Sequence, residues 1–262
     1  MQSDPALAPL RDLQAKLHFT SRSGGDGDAA AAARALTGLH FDSAGLGTTG
    51  AQALAAALPP CAPALRALVL SGNSIRALGL NTLLATLAAL PALTTLSLVH
   101  EQLGDAGAVM LCSALPHMPA LVSLTLSRNG ITAEGAAALA AALPQCRALE
   151  RLVAHSNPLG SVGVALLGRG LARVPALATV GLSATRMGDG GLRALLESLT
   201  RARLPEGDST GTGDGVLAME AAPALQGPPD GDRECTIEVR VRARFITNKK
   251  IAYWGSSARS HP

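Results

Sequence analysis

The sequence predicts an α/β solenoid in which each of six similar units contributes one short strand and one helix. Apolar residues return at a step of 28 residues, once 29, and an Ala- and Leu-rich run with helical spacing follows each cluster. One such unit cannot bury its apolar face alone, so stacked units must share a continuous core. The leucines at the first position of the unit are Leu36, Leu65, Leu93, Leu121, Leu149 and Leu177.

The clearest unit is residues 121–148, where the pattern is L-x-x-L-x-L-x-x-N-x-I. Leu124 and Leu126 hold its fourth and sixth positions, and their alternation predicts a strand with one face inward. A turn then leads to a helix. The helices predicted in the six units cover residues 50–58, 80–90, 106–115, 134–143, 162–171 and 190–199, and a proline follows most of them, as expected of helix ends.

The ninth position of the unit is predicted to bond the turn backbone through a side-chain amide. Asn73, Asn129 and Asn157 suit that role, and Thr185 could serve in the sixth unit. Ala44 and Glu101 depart from the pattern. The ladder of side-chain bonds is therefore predicted to be imperfect in the first and third units.

A unit of 28 or 29 residues with a full helix resembles the leucine-rich repeats of the ribonuclease-inhibitor type, over about residues 36–199. The resemblance implies a right-handed solenoid shaped as a horseshoe arc, with a parallel sheet on the concave face and helices on the convex face. The Ran GTPase activator shares this repeat type, so GTPase activation is one alternative function. That family carries an acidic region after the repeats, whereas this chain is basic at its end.

Four regions are expected along the chain. Residues 1–35 predict an N-terminal helical cap, and residues 36–199 predict the six repeats. Residues 200–232 are rich in Gly, Pro and Asp, and indicate a linker or a degenerate repeat. Residues 233–262 indicate a basic C-terminal strand and tail.

The C-terminal tail alternates apolar and charged residues from Ile237 to Phe245, which is typical of a strand. Its basic and aromatic residues suggest contact with an acidic partner, a nucleic acid or a membrane surface. The other interpretation is a terminal strand whose arginines protect a sheet edge. The candidate contact residues of the tail are Arg240, Arg242, Arg244 and Trp254.

The concave face is the other candidate binding surface, and its strand positions are small, hydroxyl-rich and mildly basic. Because arginine is frequent at interface hot spots, we predict that Arg128 and Arg151 bind a partner from neighbouring positions in adjacent units. Two further candidate pairs are His40 with Asp42 and His100 with His155. For each pair, a solvated side chain with no binding role is the alternative interpretation.

No catalytic constellation, metal-ligand spacing or cofactor motif emerges from the sequence. Residues 45–50 match G-x-G-x-x-G but lack the context of a dinucleotide site, so their glycines are assigned to the start of a repeat helix. The six histidines form no H-E-x-x-H motif. The chain is therefore predicted to be a non-enzyme without cofactor or metal.

Composition supports the same class. The chain is 48% hydrophobic but only 2% aromatic, as expected of an Ala- and Leu-built repeat core. No apolar run reaches the ~18 residues of a membrane span, and the N-terminus does not resemble a signal peptide. Cysteines without C-x-x-C spacing indicate buried thiols and a reducing compartment, hence a cytoplasmic protein, with cytoskeletal and ciliary settings left open. These cysteines are Cys61, Cys112, Cys146 and Cys235.

These observations predict a non-enzymatic scaffold that binds a protein partner through the concave sheet, in a cytoskeletal, ciliary or signalling assembly. Two alternatives remain: a GTPase activator resembling the Ran activator, and binding of nucleic acid or another acidic surface by the basic tail.

Overall fold

The computed structural model describes residues 37–61 and 64–201, together with the backbone of residues 219–220 and 238–240. Strand and helix alternate without exception through residues 38–201. Single-turn 3-10 helices, Leu115–His117 and Leu143–Gln145, extend the third and fourth helices. The elements are β1 Gly38–Asp42, α1 Gly47–Cys61, β2 Ala67–Ser71, α2 Arg76–Ala88, β3 Thr95–Val99, α3 Gly104–Ala114, β4 Ser123–Thr125, α4 Ala133–Ala142, β5 Arg151–Val153, α5 Gly160–Leu171, β6 Thr179–Gly181, α6 Gly188–Arg201, β7 Met219–Glu220 and β8 Glu238–Arg240.

The six strands β1 to β6 pair in parallel, each with the strand of the next unit. Leu96 lies opposite Leu68 on one side and Leu124 on the other, and Leu124 lies opposite Leu152. All four are fully buried. The fourth-position leucines thus form one buried column, and the α/β solenoid predicted from the sequence is confirmed.

The helices pack beside one another on one face of the sheet, α1 against α2 and so on to α6. Packed helix axes need ~8–10 Å, whereas neighbouring strands lie ~4.8 Å apart. Stacking units at both spacings must therefore curve the solenoid, with the sheet on the inner side. This geometry leaves the face of the sheet opposite the helices uncovered by any helix of residues 37–201.

The helices begin one to four residues before the predicted starts. Helix α2 begins at Arg76 instead of residue 80, and α5 at Gly160 instead of residue 162. Glycine and polar residues occupy many first turns, so the apolar pattern becomes visible only in the second turn. The turn from strand to helix is correspondingly short.

Each turn contains a residue in the left-handed region at the eighth position of the unit. In the first five units its backbone N–H donates to a carbonyl of the next unit, as His100 N does to Ser127 O and Arg128 N to His155 O, both at 2.9 Å. These bonds continue the sheet ladder past the ends of the strands. The eighth-position residues are Ser43, Gly72, His100, Arg128, Ser156 and Ala184, with φ between 49° and 69°.

The ninth-position asparagines join neighbouring units as predicted. Oδ1 of Asn157 accepts from the N–H groups of Asn129 and Ile131 at 3.0 and 3.1 Å, and its amide donates to Leu126 O and Ala154 O. Thr185, the sixth-unit counterpart, donates its hydroxyl to Leu182 O at 2.8 Å. Each asparagine therefore satisfies buried backbone groups in two units.

The ladder is imperfect at Glu101 as predicted, because a carboxylate cannot donate to carbonyl groups as the amides of Asn129 and Asn157 do, but its accepting bonds are kept. The Glu101 carboxylate is fully buried and accepts from Asn73 N at 3.1 Å and from Ile75 N at 3.0 Å, and Glu101 N donates to Asn129 Oδ1. Two carboxylate oxygens replace the single amide oxygen that asparagine uses. Only Ala44, in the first unit, contributes its backbone N–H alone, which donates to Asn73 Oδ1.

At the C-terminal end of the sheet, β8 pairs antiparallel with β6, and β7 pairs antiparallel with β8. Strand β8 is the described part of the predicted tail strand, and β7 is a short strand within the region 200–232. The predicted cap at residues 1–35 and most of residues 200–262 lie outside the described residues.

Candidate functional site

The candidate site is the face of the sheet opposite the helices, which we call the open face. Side chains at the third, fifth and seventh positions of each unit form three rows across it, while the fourth- and sixth-position leucines face the helices. The third-position row is Gly38, Ala67, Thr95, Ser123, Arg151 and Thr179; the fifth is His40, Val69, Ser97, Thr125, Val153 and Gly181; the seventh is Asp42, Ser71, Val99, Ser127, His155 and Ser183.

The centre of the open face carries small hydroxyl and aliphatic side chains that are half-buried, among them Val69, Ser97 and Thr125. Phe41 is the single aromatic residue within residues 37–201, and it is buried in the core. The surface therefore offers short hydrogen-bonding groups on a regular sheet, and charge enters it only at the two ends.

His155 is the most constrained of the predicted site residues. Its Nδ1 accepts a hydrogen bond from Ser183 N at 3.0 Å, so the neutral ring carries its proton on Nε2. The ring lies over Gly181: a Cβ there would be 2.7 Å from His155 Cε1. Protonation at Nδ1 would break the bond to Ser183. The sequence interpretation missed Gly181 and Ser183, although a glycine at a strand position was a signal of close approach.

His40 and Asp42 are both exposed on β1, at neighbouring positions of the open face. The His40 ring leans over Gly38, where a Cβ would lie 3.6 Å from His40 Nε2. Gly38 and Asp42 lie on opposite sides of His40 along the strand. The structure thus brings the two residues to one end of the face, with the imidazole turned toward the start of the strand.

The sequence predicted that Arg128 and Arg151 lie at neighbouring positions. The structure separates them. Arg151 begins β5 and pairs with Ser123, whereas Arg128 lies in the turn three residues after the end of β4. Five residues therefore separate the two along the strand direction, roughly 15 Å at ~3.3 Å per residue. The strand is only three residues long, and Arg128 occupies the left-handed turn position instead of the open face.

His100 occupies the same turn position as Arg128, one unit earlier, and is exposed with φ 58°. It does not adjoin His155, which lies two units further along on the open face. The pair His100 and Arg128 instead borders the edge where the strands end. The sequence spacing placed these residues in the correct units but did not distinguish the strand from the turn.

Ser127 is an unexpected feature of the seventh-position row. Ser127 is only 7% exposed, and its hydroxyl has no hydrogen-bond partner among the described residues. It lies between Val99 and His155 in the row. A buried hydroxyl without a partner lowers stability relative to a bonded one, so Ser127 is a weak point of this face.

Of the predicted tail contacts, the structure describes only the backbone of Arg240. Strand β8 places Arg240 opposite Thr179, which is itself opposite Arg151. Arg242, Arg244 and Trp254 lie outside the described residues. Strand β8, the described part of the tail, therefore lies between β6 and β7 and is not the outermost strand of the sheet.

The groups that could perform chemistry are sparse in the described ranges. No cluster of three His, Cys, Asp or Glu residues capable of holding a metal occurs among residues 37–61 and 64–201. Burial raises the pKa of Cys112 to about 12, with a contribution from nearby Cys146, and that of Cys146 to about 11. Both cysteines are therefore protonated thiols at neutral pH. They lack the thiolate form that nucleophilic cysteine chemistry requires.

Comparison with known proteins identifies the repeats. A family model described as Leucine Rich repeat matches residues 117–140, which contain β4 and most of α4. No curated protein matches the chain. Among the solved structures similar to it is one titled "Leiomodin-1 Actin-Binding Site 2 (ABS2)", with 22% identity and a TM-score of 0.42, covering 47% of this chain and 71% of that chain.

The matched unit has the leucine-rich repeat pattern, and five other units with the same strand and helix stack on it in register. Within the described residues, no helix combines the length and the apolar character that crossing a membrane requires.

Proposed function

We propose that the chain is a non-enzymatic scaffold that binds a protein partner on the open face of the sheet. The observation that carries this proposal is the continuity of that face. Six strands in register present three rows of side chains, while the opposite face is covered by helices. The rows are half-buried or exposed through the first five units except at Ser127, and they are buried in the sixth unit at Thr179, Gly181 and Ser183. Repeat proteins use extended inner surfaces of this kind for binding.

The character of the open face supports a flat protein contact. Short side chains such as Ser97, Thr125 and Val153 let a partner approach the sheet closely, and the hydroxyls of Ser97 and Thr125 can donate or accept hydrogen bonds. His40 and Asp42 at one end and Arg151 at the other add charge that can orient the partner. The constrained His155 ring supplies a larger contact surface near Arg151.

The repeats are proposed to be of the ribonuclease-inhibitor type. Support comes from the 28-residue register between successive strands and from the helices of 10 to 15 residues in every described unit. Long helices on the outer side require a strongly curved inner sheet, which suits a partner with a convex surface.

Affinity purification from lysate, with mass spectrometry, tests the proposal. The open-face variant carries Ser97→Arg and Thr125→Arg, which are opposite each other on β3 and β4. The matched control carries Val109→Arg and Ala137→Arg, both exposed on the outer helices α3 and α4. Each pair adds two charges at accessible positions, and circular dichroism verifies folding.

We expect the open-face variant to lose the proteins that the wild type captures, while the outer-helix control retains them. Capture of the same proteins at the same yield by both variants would remove the open face from the binding mechanism.

A further inference from the structure

Arginines are concentrated in the part of the solenoid that runs from the end of the fourth unit through the sixth. Residues 37–146 contain three arginines and four acidic residues, whereas residues 147–201 contain seven arginines and three acidic residues. The arginines of the second group are Arg147, Arg151, Arg169, Arg173, Arg186, Arg193 and Arg201. The two ends of one solenoid therefore differ in charge, although the chain as a whole carries only +3.

Three of these arginines lie on one edge, formed by the loops that connect each helix to the next strand. We call this edge, where the loops lead into the fifth and sixth units, the strand-start rim: Arg147, Arg151 and Arg173. All three side chains are exposed. Their backbones are fixed, because Arg147 N donates to Gln145 O, Arg151 N to Val122 O and Arg173 N to Gly170 O, at 3.0 to 3.1 Å.

The helix dipole explains only one of the three. Arg173 follows the C-terminus of α5, where a cation is favoured regardless of any ligand. Arg151, by contrast, begins a strand. Arg147 occupies the position at which the corresponding loops carry Pro63, Pro91, Pro119 and Pro175.

The register of the sheet adds a fourth arginine to this row. Arg151, Thr179 and Arg240 lie opposite one another on β5, β6 and β8. Two strand spacings separate Arg151 from Arg240, about 10 Å. Ser123 continues the row on the other side of Arg151. The guanidinium groups of the rim arginines suit the recognition of carboxylates, which arginine binds through two parallel hydrogen bonds.

We propose that the strand-start rim docks an acidic segment of a protein partner. This inference rests on the proposed function, because the rim continues the open face through Arg151. A protein segment is favoured over a nucleic acid because exposed Glu150 lies between Arg147 and Arg151 in the chain. A phosphate backbone would be repelled there, whereas a peptide can place a neutral or basic residue beside Glu150.

Fluorescence anisotropy with the full chain tests the proposal, using a short labelled peptide of alternating glutamate and serine as the probe. The rim variant combines Arg147→Ala, Arg151→Ala and Arg173→Ala. The matched control combines Arg76→Ala, Arg128→Ala and Arg186→Ala, which are equally exposed but lie where strands lead into helices. A single-stranded oligonucleotide of equal charge is the comparison ligand.

We expect the rim variant to weaken peptide binding about tenfold or more, equivalent to ~1.4 kcal/mol, and the control to bind like the wild type. Equal weakening by both triple variants, or no binding by the wild type, would overturn the proposal. Tighter binding of the oligonucleotide at the same arginines would identify a nucleic-acid site instead.

The chain's own acidic stretch between Glu206 and Glu234 is a competing occupant. Peptide binding that occurs only after its acidic residues are changed to amides would assign the rim to that stretch and overturn docking of an external partner. The open-face variant separates the two proposals. If Ser97→Arg with Thr125→Arg retains both peptide binding and captured partners, the open-face function fails while the rim proposal stands.

Discussion

The carboxylate of Glu101 accepts a hydrogen bond from the backbone N–H of Asn73, 28 residues earlier, at 3.1 Å. The other carboxylate oxygen accepts from Ile75 N at 3.0 Å. A buried acid therefore occupies a place in a ladder otherwise built from neutral amides. Burial raises the pKa of Glu101 above its ordinary value of 4.5, against the lowering effects of the bonds from Ile75 and Asn73 and of nearby His100.

The first prediction concerns pH and stability. Because folding raises the pKa of Glu101, its charged form is disfavoured in the native state. The resulting loss of unfolding free energy is absent below the unfolded pKa and complete above the folded pKa. The stability of the wild type relative to Glu101→Gln should therefore be greater near pH 4.5, the ordinary pKa of this carboxyl group, than near pH 7.5. Urea unfolding at both values measures the difference, and an unchanged or reversed difference would contradict the assignment.

The second prediction concerns Asp105, which lies in α3 and caps the helix of the next unit. Its Oδ1 accepts from Thr132 N at 2.7 Å and from Gly135 N at 2.9 Å, and its Oδ2 accepts from the Thr132 hydroxyl. Replacement by alanine should cost ~1 kcal/mol of unfolding free energy, the usual value of a helix cap. Asp189→Ala, at the corresponding position of the last unit, is the control and should cost less.

The same variant has a defined pH dependence. Burial raises the pKa of Asp105, but the bonds from Thr132 and Gly135 outweigh it, and the net pKa is lowered. A lowered pKa contributes stability above the unfolded value of 3.8 that is lost as pH falls through the folded value. The gap between wild type and Asp105→Ala should therefore close in acid, and thermal unfolding across that range tests it.

The third prediction uses the close approach of His155 to Gly181. A methyl group at residue 181 would lie 2.7 Å from His155 Cε1, so Gly181→Ala should displace the ring and break its bond to Ser183. Overpacking of this kind costs ~1–3 kcal/mol. Gly38→Ala, on the same face but 3.6 Å from His40 Nε2, should be tolerated. Imidazole NMR signals measure the displacement of the ring in the two variants, and urea unfolding measures the loss of stability. An undisturbed His155 resonance in Gly181→Ala would refute the contact.

The fourth prediction concerns the left-handed turn position at Ala184, where φ is 55°. A left-handed conformation costs an L-residue roughly 1–2 kcal/mol. Glycine avoids this cost, but its unfolded chain has more conformational entropy to lose, which offsets part of the gain. Ala184→Gly should therefore stabilise the protein by a fraction of a kcal/mol up to about 1 kcal/mol. Ala137→Gly, on an exposed face of α4, should instead destabilise it by ~1 kcal/mol. Equal destabilisation by both would show that Ala184 is unstrained.

Periodicity alone predicted the rows of the core, because the fourth-position residues must be apolar in every unit and their spacing reveals it. It could not predict the turn. Five of the six eighth-position residues in left-handed conformations are not glycine, so residue type carries no signal there. For this reason Arg128 was placed on the sheet beside Arg151. Glu101 likewise departs from the asparagine pattern in identity, while its two oxygens preserve the hydrogen bonds that the asparagine oxygen accepts.

The antiparallel pairing of β8 with β6 has a consequence for how such an array can change in length. The outer edge of β6 is where a seventh parallel strand would have to attach, and β8 already occupies it. A duplicated block of 28 residues could be accommodated between existing units, since each junction repeats the same register. A further unit at this end of the sheet would therefore have to displace β8, whereas a unit inserted between existing ones would leave β8 paired with the last parallel strand.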